Sequence, residues 1–465
     1  MKTDQQNEDI PIPGPLVPEN SGRSSFRRVL KNRSFLLLWL AQLLSQVVFN
    51  AANYGIIALV TAITHSTTLV GLAIVSFTLP AIPFSLLAGV YVDYLDKRLV
   101  LWVSNILRAV AMGLMVFVLL VNPHTVVWLF FLAFAISLIS QFFTPAEASA
   151  IPLLVSKQDL VSALSLFNIT LTIAQALGFL VLGGLVTSLF PPFDITLGLI
   201  HVHVISFDIL FAIVAVIYVI CTLLILAIPS RDLQQQKKEQ PQLSVLLGRQ
   251  AWITVREGVK ETWDYVGKDK PLLLALLQVS GVSIVLLVIG ELAGPFVVNV
   301  LRLPVQLLPL ILAPAGIGLV LGGVLMPMLT RWLGINRTIA TGSIGAAVGL
   351  LLIPIGRFVL EHLALPAIEV LVFVAIVTFF IGAALDMVNI PAQAEMQERA
   401  PEEERGRIFS FQSMLYNAGS IPVLLFLGVI ADTLGIETVL FLLAAGVLLF
   451  RAWAFWYARR VSPTY

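Results

Sequence analysis

The sequence predicts an all-α integral membrane protein of twelve transmembrane helices arranged as two six-helix bundles, and three observations carry that expectation. Of its 465 residues, 58% are hydrophobic and 12% charged, against roughly 45–50% and 25% in a soluble globular domain. Uncharged runs of about 20 residues, the helical length that crosses a ~30 Å hydrocarbon core, recur along nearly the whole chain. The longest polar interruption, 230–270, divides these runs six and six.

Taken in order, the apolar segments fall at 35–63, 67–92, 98–121, 125–150, 160–188, 204–228, 271–300, 305–330, 338–357, 366–394, 408–431 and 436–457. The run from Phe35 is too long for a signal-peptide core and reads as a first span rather than a cleaved leader. With a cytoplasmic N-terminus, the inner segments hold 24 of the 28 Lys and Arg residues, leaving Arg302 and Arg357 outside and Arg108 and Arg451 within spans. Short loops rich in Lys and Arg stay inside, so both termini are expected in the cytoplasm of a cell-membrane protein.

The layout expected is a cytoplasmic tail over 1–33, a first bundle over 34–229, a cytoplasmic linker over 230–270, a second bundle over 271–458 and a tail over 459–465. The linker opens with a soluble stretch around Gln234, Gln235, Gln236, Lys237 and Lys238. Trp252, Val255, Val259, Trp263 and Val266 then recur at helical spacing opposite Arg256, Glu257, Lys260 and Glu261, the pattern of a helix lying in the headgroup region. Pro145-Ala146-Glu147-Ala148 near the inner end of span 4 returns as Pro391-Ala392-Gln393-Ala394 near that of span 10, as a six-span repeat would place it.

The net charge of +1 is scattered over short loops and offers no stripe for nucleic acid. The single cysteine, Cys221, excludes an intramolecular disulfide. His201 and His203, on an outer loop, have no further ligands near them in sequence, so neither metal nor other cofactor is expected. No phosphate-binding Gly-x-x-x-x-Gly-Lys-Ser/Thr loop occurs, and no nucleophile–base cluster points to an enzyme.

Between spans 2 and 3 stands Gly89-Val90-Tyr91-Val92-Asp93-Tyr94-Leu95-Asp96-Lys97-Arg98. It resembles the Gly-x-x-x-Asp-Arg-x-Gly-Arg-Arg signature of the major facilitator superfamily in Gly89, Asp93, Lys97 and Arg98, and departs from it at Tyr94 and Asp96. An eroded second copy between spans 8 and 9 keeps Gly323 and Arg331, with Pro327 in place of the acid. Gln397, Pro401, Arg405, Gly406 and Arg407, with Arg256-Glu257-Gly258, are similar to the macrolide-efflux and siderophore-export branch, and the resemblance runs from about 33 to 458. It implies a secondary transporter working by alternating access, with the charged 2–3 loop as a cytoplasmic gate. Topology accounts for the bases there but gives no reason for Asp93. Gly178-Phe179-Leu180-Val181-Leu182-Gly183-Gly184 in span 5 is similar to the Gly-Pro-x-x-Gly-Gly signature of proton-coupled exporters, with Phe179 replacing the proline. Small residues also serve close packing without coupling.

Polar residues inside spans are costly, an ionised one about 3 kcal/mol on insertion scales, so each needs a partner or a wet cavity. Gln42, Gln46, Asn50 and Asn53 share one face of span 1, Asp386, Asn389 and Gln393 share one face of span 10, and span 4 adds Gln141. The family resemblance implies that spans 1, 4, 7 and 10 line the central cavity. Glu291 in span 7 and Asp386 are then the candidates for a proton relay, although a protonated acid bonded between helices satisfies the same pattern. Phe130, Phe131, Phe134, Phe142 and Phe143 offer an adaptable apolar wall. The reading that emerges is a monomeric, proton-coupled exporter of small amphipathic compounds; an importer, an exporter of siderophores or lysolipids, and a non-transporting scaffold remain open.

Overall fold

A computed structural model describes residues 28–461 apart from 124, 157, 198–199, 234–248, 364–365 and 402–404, and for some further residues the backbone alone. Twelve helices among the described residues are long and apolar enough to cross a membrane. Span 1 is Arg33–Thr64, and span 2 is Thr67–Thr78 continued by Ala81–Tyr94. Span 3 is Lys97–Val121 and span 4 Val127–Leu154. Span 5 begins at Leu160, winds as a π-helix over Leu177–Leu185 and ends with Val186–Leu189. Span 6 is Ser206–Leu226. In the second half, span 7 runs Lys270–Pro295 with a π-helical end over Phe296–Val300, and spans 8 to 12 contain Pro309–Leu333, Ile335–His362, Ala367–Arg399, Arg405–Leu434 and Ile436–Val461.

Local chemistry sets the ends. Asn32 accepts from the amides of Ser34 and Phe35 at the start of span 1, and Asp269 accepts from Leu272 N at 3.1 Å at the start of span 7. Such caps satisfy donors that the first helical turn leaves unpaired. Gly334 and Gly435, at φ 76° and 91°, turn spans 8 and 11 into spans 9 and 12 without the steric cost a side chain would bring. The interruption of span 2 follows Pro80, which has no amide hydrogen to give to the helix.

One difference from the sequence expectation concerns a connection. The loop between spans 5 and 6 carries an antiparallel hairpin, β1 Phe193–Leu197 with β2 Ile200–Val204, registered so that Asp194 faces His203 and Thr196 faces His201. The alternation Phe-Asp-Ile-Thr-Leu and Ile-His-Val-His-Val was its sequence signal. The linker helix, Arg249–Lys268, packs chiefly on the second bundle. Val266 is buried with Leu272, Met396 and Ile408, Trp263 packs on Phe411 at 5.9 Å, and Arg407 meets Glu261 at 3.6 Å. Residues 234–238 lie outside the described residues.

The membrane face carrying the linker helix is called here the linker face, and the opposite one the hairpin face. Spans 8 and 10 make the most extensive helix pairing. Gly382 lies directly over the Ala315 carbonyl and Gly318 directly over that of Phe379, so the two backbones touch where side chains would stand. Small residues give such approach in lipid, where packing replaces the hydrophobic effect as the force between helices. Gly318→Leu is therefore expected to cost about 2 kcal/mol or more, by driving a side chain into backbone with no room to yield. Size-exclusion thermal-stability profiles of the purified variant check this against Gly113→Leu, whose position meets no neighbour within 4 Å.

Candidate functional site

The charged turn between spans 2 and 3 is built from helix-end chemistry. Asp96 caps span 3 by accepting from Leu99 N at 3.1 Å, which explains an acid where the family signature has glycine. The Lys97 ammonium is buried and donates to the carbonyls of Val92 and Leu95, the free end of the span 2 helix. A cation there complements the negative end of the helix dipole. Arg98 donates to the Leu226 carbonyl and to Ser230, tying the turn to the end of span 6. Both bases thus fasten parts of the first bundle to each other. The surroundings of Gly89 and the side chain of Asp93 lie outside the described residues.

The polar residues expected on the cavity helices fall into two kinds. Asn50 donates to the Gln46 carbonyl at 2.8 Å and Gln141 to the Ser137 carbonyl at 3.4 Å, so each is satisfied on its own helix. Asn53 is half-buried on the same span. Span 10 instead carries a ladder: Gln393 donates to Asn389 Oδ1 at 3.2 Å, and Asn389 to Asp386 Oδ1 at 3.4 Å. Asp386 is 9% exposed and stands over Gly322 and Gly323 of span 8. The span 5 glycines are packing surface: Gly178 lies on Val47 O and Asn50 of span 1, Gly183 on the Tyr54 ring, and Gly184 on Pro309 of span 8.

Glu291 occupies a different contact. It is 0% exposed, neither carboxyl oxygen has a hydrogen-bond partner among the described residues, and Oε1 presses on Gly71 of span 2 and Gly428 of span 11. Its carboxyl therefore sits in the seam between the two bundles, while Asp386 sits between two helices of one bundle. No described hydrogen bond or ion pair joins the two acids.

On the hairpin side of Glu291, the seam is closed by Asp432 at the end of span 11. Its carboxylate accepts from Ser66 Oγ at 2.7 Å, Thr67 N at 2.6 Å, Thr68 N at 3.0 Å and Thr68 Oγ1 at 2.7 Å. One bundle thus caps the first turn of a helix belonging to the other. Beside it, Asn299 Nδ2 donates to the His65 carbonyl at 2.7 Å, and the two side chains meet at 3.1 Å. Asp432 was not among the residues singled out in the sequence, although an acid in the last turn of a helix opposes the dipole and so signals a partner elsewhere.

A second missed feature is a polar layer across the first bundle. Arg108 is 3% exposed, donates to Ser45 Oγ at 3.0 Å, and lies over the Phe143 ring at 4.4 Å. Gln42, Asn105, Glu147 and Tyr218 each contribute a buried polar atom without a partner among the described residues. Glu147 is within electrostatic reach of Arg108. The layer falls between the bundle's two apolar cores, one holding Val48, Met112 and Val214, the other Leu38, Leu101 and Ile225. Arg108 accordingly has buried company and does not reach for the surface. An acid within the span 4 repeat was the available signal.

These features sit in an architecture shared with solved transporters. A bacterial homologue of the iron transporter ferroportin, in an inward-facing state, superposes with a TM-score of 0.67 at 16% identity over 91% of this chain and 98% of that one. A point mutant of the nucleoside transporter NupG gives 0.64 at 17% identity over 92% of this chain and all of the other. A bacterial homologue of the lysosomal transporter Spinster, inward-facing and unoccupied, gives 0.65 at 14% over 92% and 97%. In sequence, an uncharacterized MFS-type transporter of Bacillus subtilis (strain 168), YfiS, is 25% identical over 391 residues, 83% of each chain. The model of the Major Facilitator Superfamily matches residues 38–422. Twelve spans in two bundles, joined by that match along most of the sequence, make this chain a member of the major facilitator superfamily of membrane transporters.

Proposed function

We propose that the chain is a proton-coupled exporter of small amphipathic compounds, of the macrolide-efflux and siderophore-exporter type, with its linker face and termini in the cytoplasm of a cell membrane. The observation that carries the coupling is Glu291, wholly buried where the bundles meet and without a hydrogen-bond partner among the described residues. An ionised carboxylate placed there would lose its hydration with no compensating bond, a penalty of several kcal/mol. Closing the hairpin face therefore requires a neutral Glu291, and a charged one favours opening.

The cycle follows from that dependence. Glu291 takes a proton from the outside when the hairpin face is open, and the neutral side chain then lets Gly71 and Gly428 close over it. The state seen here has Asp432 and Asn299 engaged on the hairpin face, and the cycle assigns it the inward-facing role. Water entering between the bundles carries the proton from Glu291 to Asp386, which Asn389 holds in place by a hydrogen bond, and from there to the cytoplasm. Glu291 is left charged, the seam loosens, and the bound compound is carried outward. A ligand or proton moves this equilibrium only through its different affinity for the two states.

A susceptibility screen in a host lacking its own exporters identifies a transported dye, which is then followed in proteoliposomes under an imposed proton gradient. Glu291→Gln keeps shape and removes titration, so gradient-driven accumulation collapses while energy-independent exchange persists. Asp386→Asn behaves alike if the relay holds. Wild-type accumulation in both variants and in their combination, still abolished by an uncoupler, ends this account of coupling.

Asp432→Ala removes a cap worth about 1 kcal/mol, shifting the balance about fivefold toward an open hairpin face. Thiol labelling of a cysteine placed at Thr67, which is buried and gives Asp432 only its backbone amide, reads the shift from outside, and unchanged labelling shows that Asp432 carries no share of the closure. Asp93→Asn tests the opposite rim. Slower exchange with normal membrane insertion supports a gate role, and unchanged rates reduce Asp93 to a topology marker.

A further inference from the structure

The second bundle contains a cleft that the transport cycle above does not use. It lies between spans 7, 9, 10 and 12, measures about 240 Å³, and has an apolar wall that includes Val282, Leu385 and Leu443. Span 12 packs chiefly on span 9 and only briefly on span 7. The gap persists because Gly281 and Gly446 line it, and nothing stands within 4 Å of where a Cβ on either would be. At Gln278, Arg451 and Ala454 the cleft continues into a second of about 280 Å³, which reaches the linker face at Lys270 and Arg337.

The charge along this path is one-sided. Among the described residues, Lys270, Arg337 and Arg451 line it against one carboxylate, Glu395, which is itself engaged by Arg399. Arg451 is half-buried within span 12, and its described partner is the Phe455 ring at 5.9 Å. A guanidinium at that depth calls for an anion. From Arg451 the apolar walls extend toward the hairpin face as far as Leu442, about 13 Å along the helix. A cationic mouth at one membrane face with an apolar slot beneath it has the polarity of a lipid molecule.

We propose that this cleft binds an anionic phospholipid from the leaflet on the linker face. Its phosphate lies among Arg451, Arg337 and Lys270, and one acyl chain lies between spans 7 and 12 beside Gly281 and Gly446. Basic pockets between transmembrane helices suit anionic headgroups. The lipid fills space that no side chain of the bundle fills, and it braces the helix that carries Glu291. The assignment is independent of substrate and of proton coupling.

The test is native mass spectrometry of the full-length protein in detergent, titrated with phosphatidylglycerol and, separately, phosphatidylcholine of the same chains. The wild type retains a phosphatidylglycerol adduct under activation that strips phosphatidylcholine. Gly446→Leu fills the slot and loses that adduct while remaining monodisperse with an unchanged or raised melting temperature. Arg451→Gln leaves the slot open and weakens phosphatidylglycerol binding about fivefold, the equivalent of ~1 kcal/mol; it also stands in should Gly446→Leu fail to fold. Equal retention of the two lipids by the wild type overturns the proposal. So does wild-type retention of phosphatidylglycerol by a folded Gly446→Leu or by Arg451→Gln.

Discussion

A polar group carried into hydrocarbon has no water to bond, so each one must find its partner inside the protein or face a wet path. Nearly every feature of this molecule can be read as an answer to that requirement. The backbone answers by forming helices throughout the membrane, and the serine and threonine hydroxyls by returning to carbonyls one turn back, as Thr61, Ser140, Thr187 and Ser283 do. Lys97 and Arg98 answer by fastening on helix ends at the rim. Where the answer is incomplete, at Glu291 and in the layer around Arg108, the structure holds polarity that packing alone would have removed.

The two halves of the chain treat that requirement differently. The first bundle places its buried charge in a layer between two apolar cores, with Arg108 against Phe143 and within reach of Glu147. The second brings its backbones together at Gly318 and Gly382 and turns Asp386 toward the glycines of span 8. Glu291 and Asp432 belong to the seam between them. Glu291 is neutral or costly there, and Asp432 supplies hydrogen bonds that can form only while the hairpin face is shut. A two-state device needs groups whose surroundings differ between states, and the seam is where surroundings change.

Much of this was legible beforehand. Twelve spans, the six-and-six division and the superfamily follow from apolar run length, turn residues and the Gly89–Arg98 signature, because hydrophobic length is a property of consecutive residues. The helical spacing of Asp386, Asn389 and Gln393 likewise put them on one face, where the structure joins them in a hydrogen-bonded ladder. The hairpin at Phe193–Val204 was legible too in the alternation Phe-Asp-Ile-Thr-Leu and Ile-His-Val-His-Val, a period-2 pattern too short to stand out between two long apolar runs.

What sequence by itself determined is therefore the set of elements and the periodicity of each, since both are governed by residues within a turn or two of one another. Which faces meet was decided by tertiary structure. Glu291 lies against Gly71 and Gly428, more than a hundred residues away on either side, and Asp432 caps a turn that begins more than three hundred residues earlier. No linear motif records such pairings. They depend on how the small residues of several helices let those helices approach, and the free energy of that approach exists only once all of them are assembled.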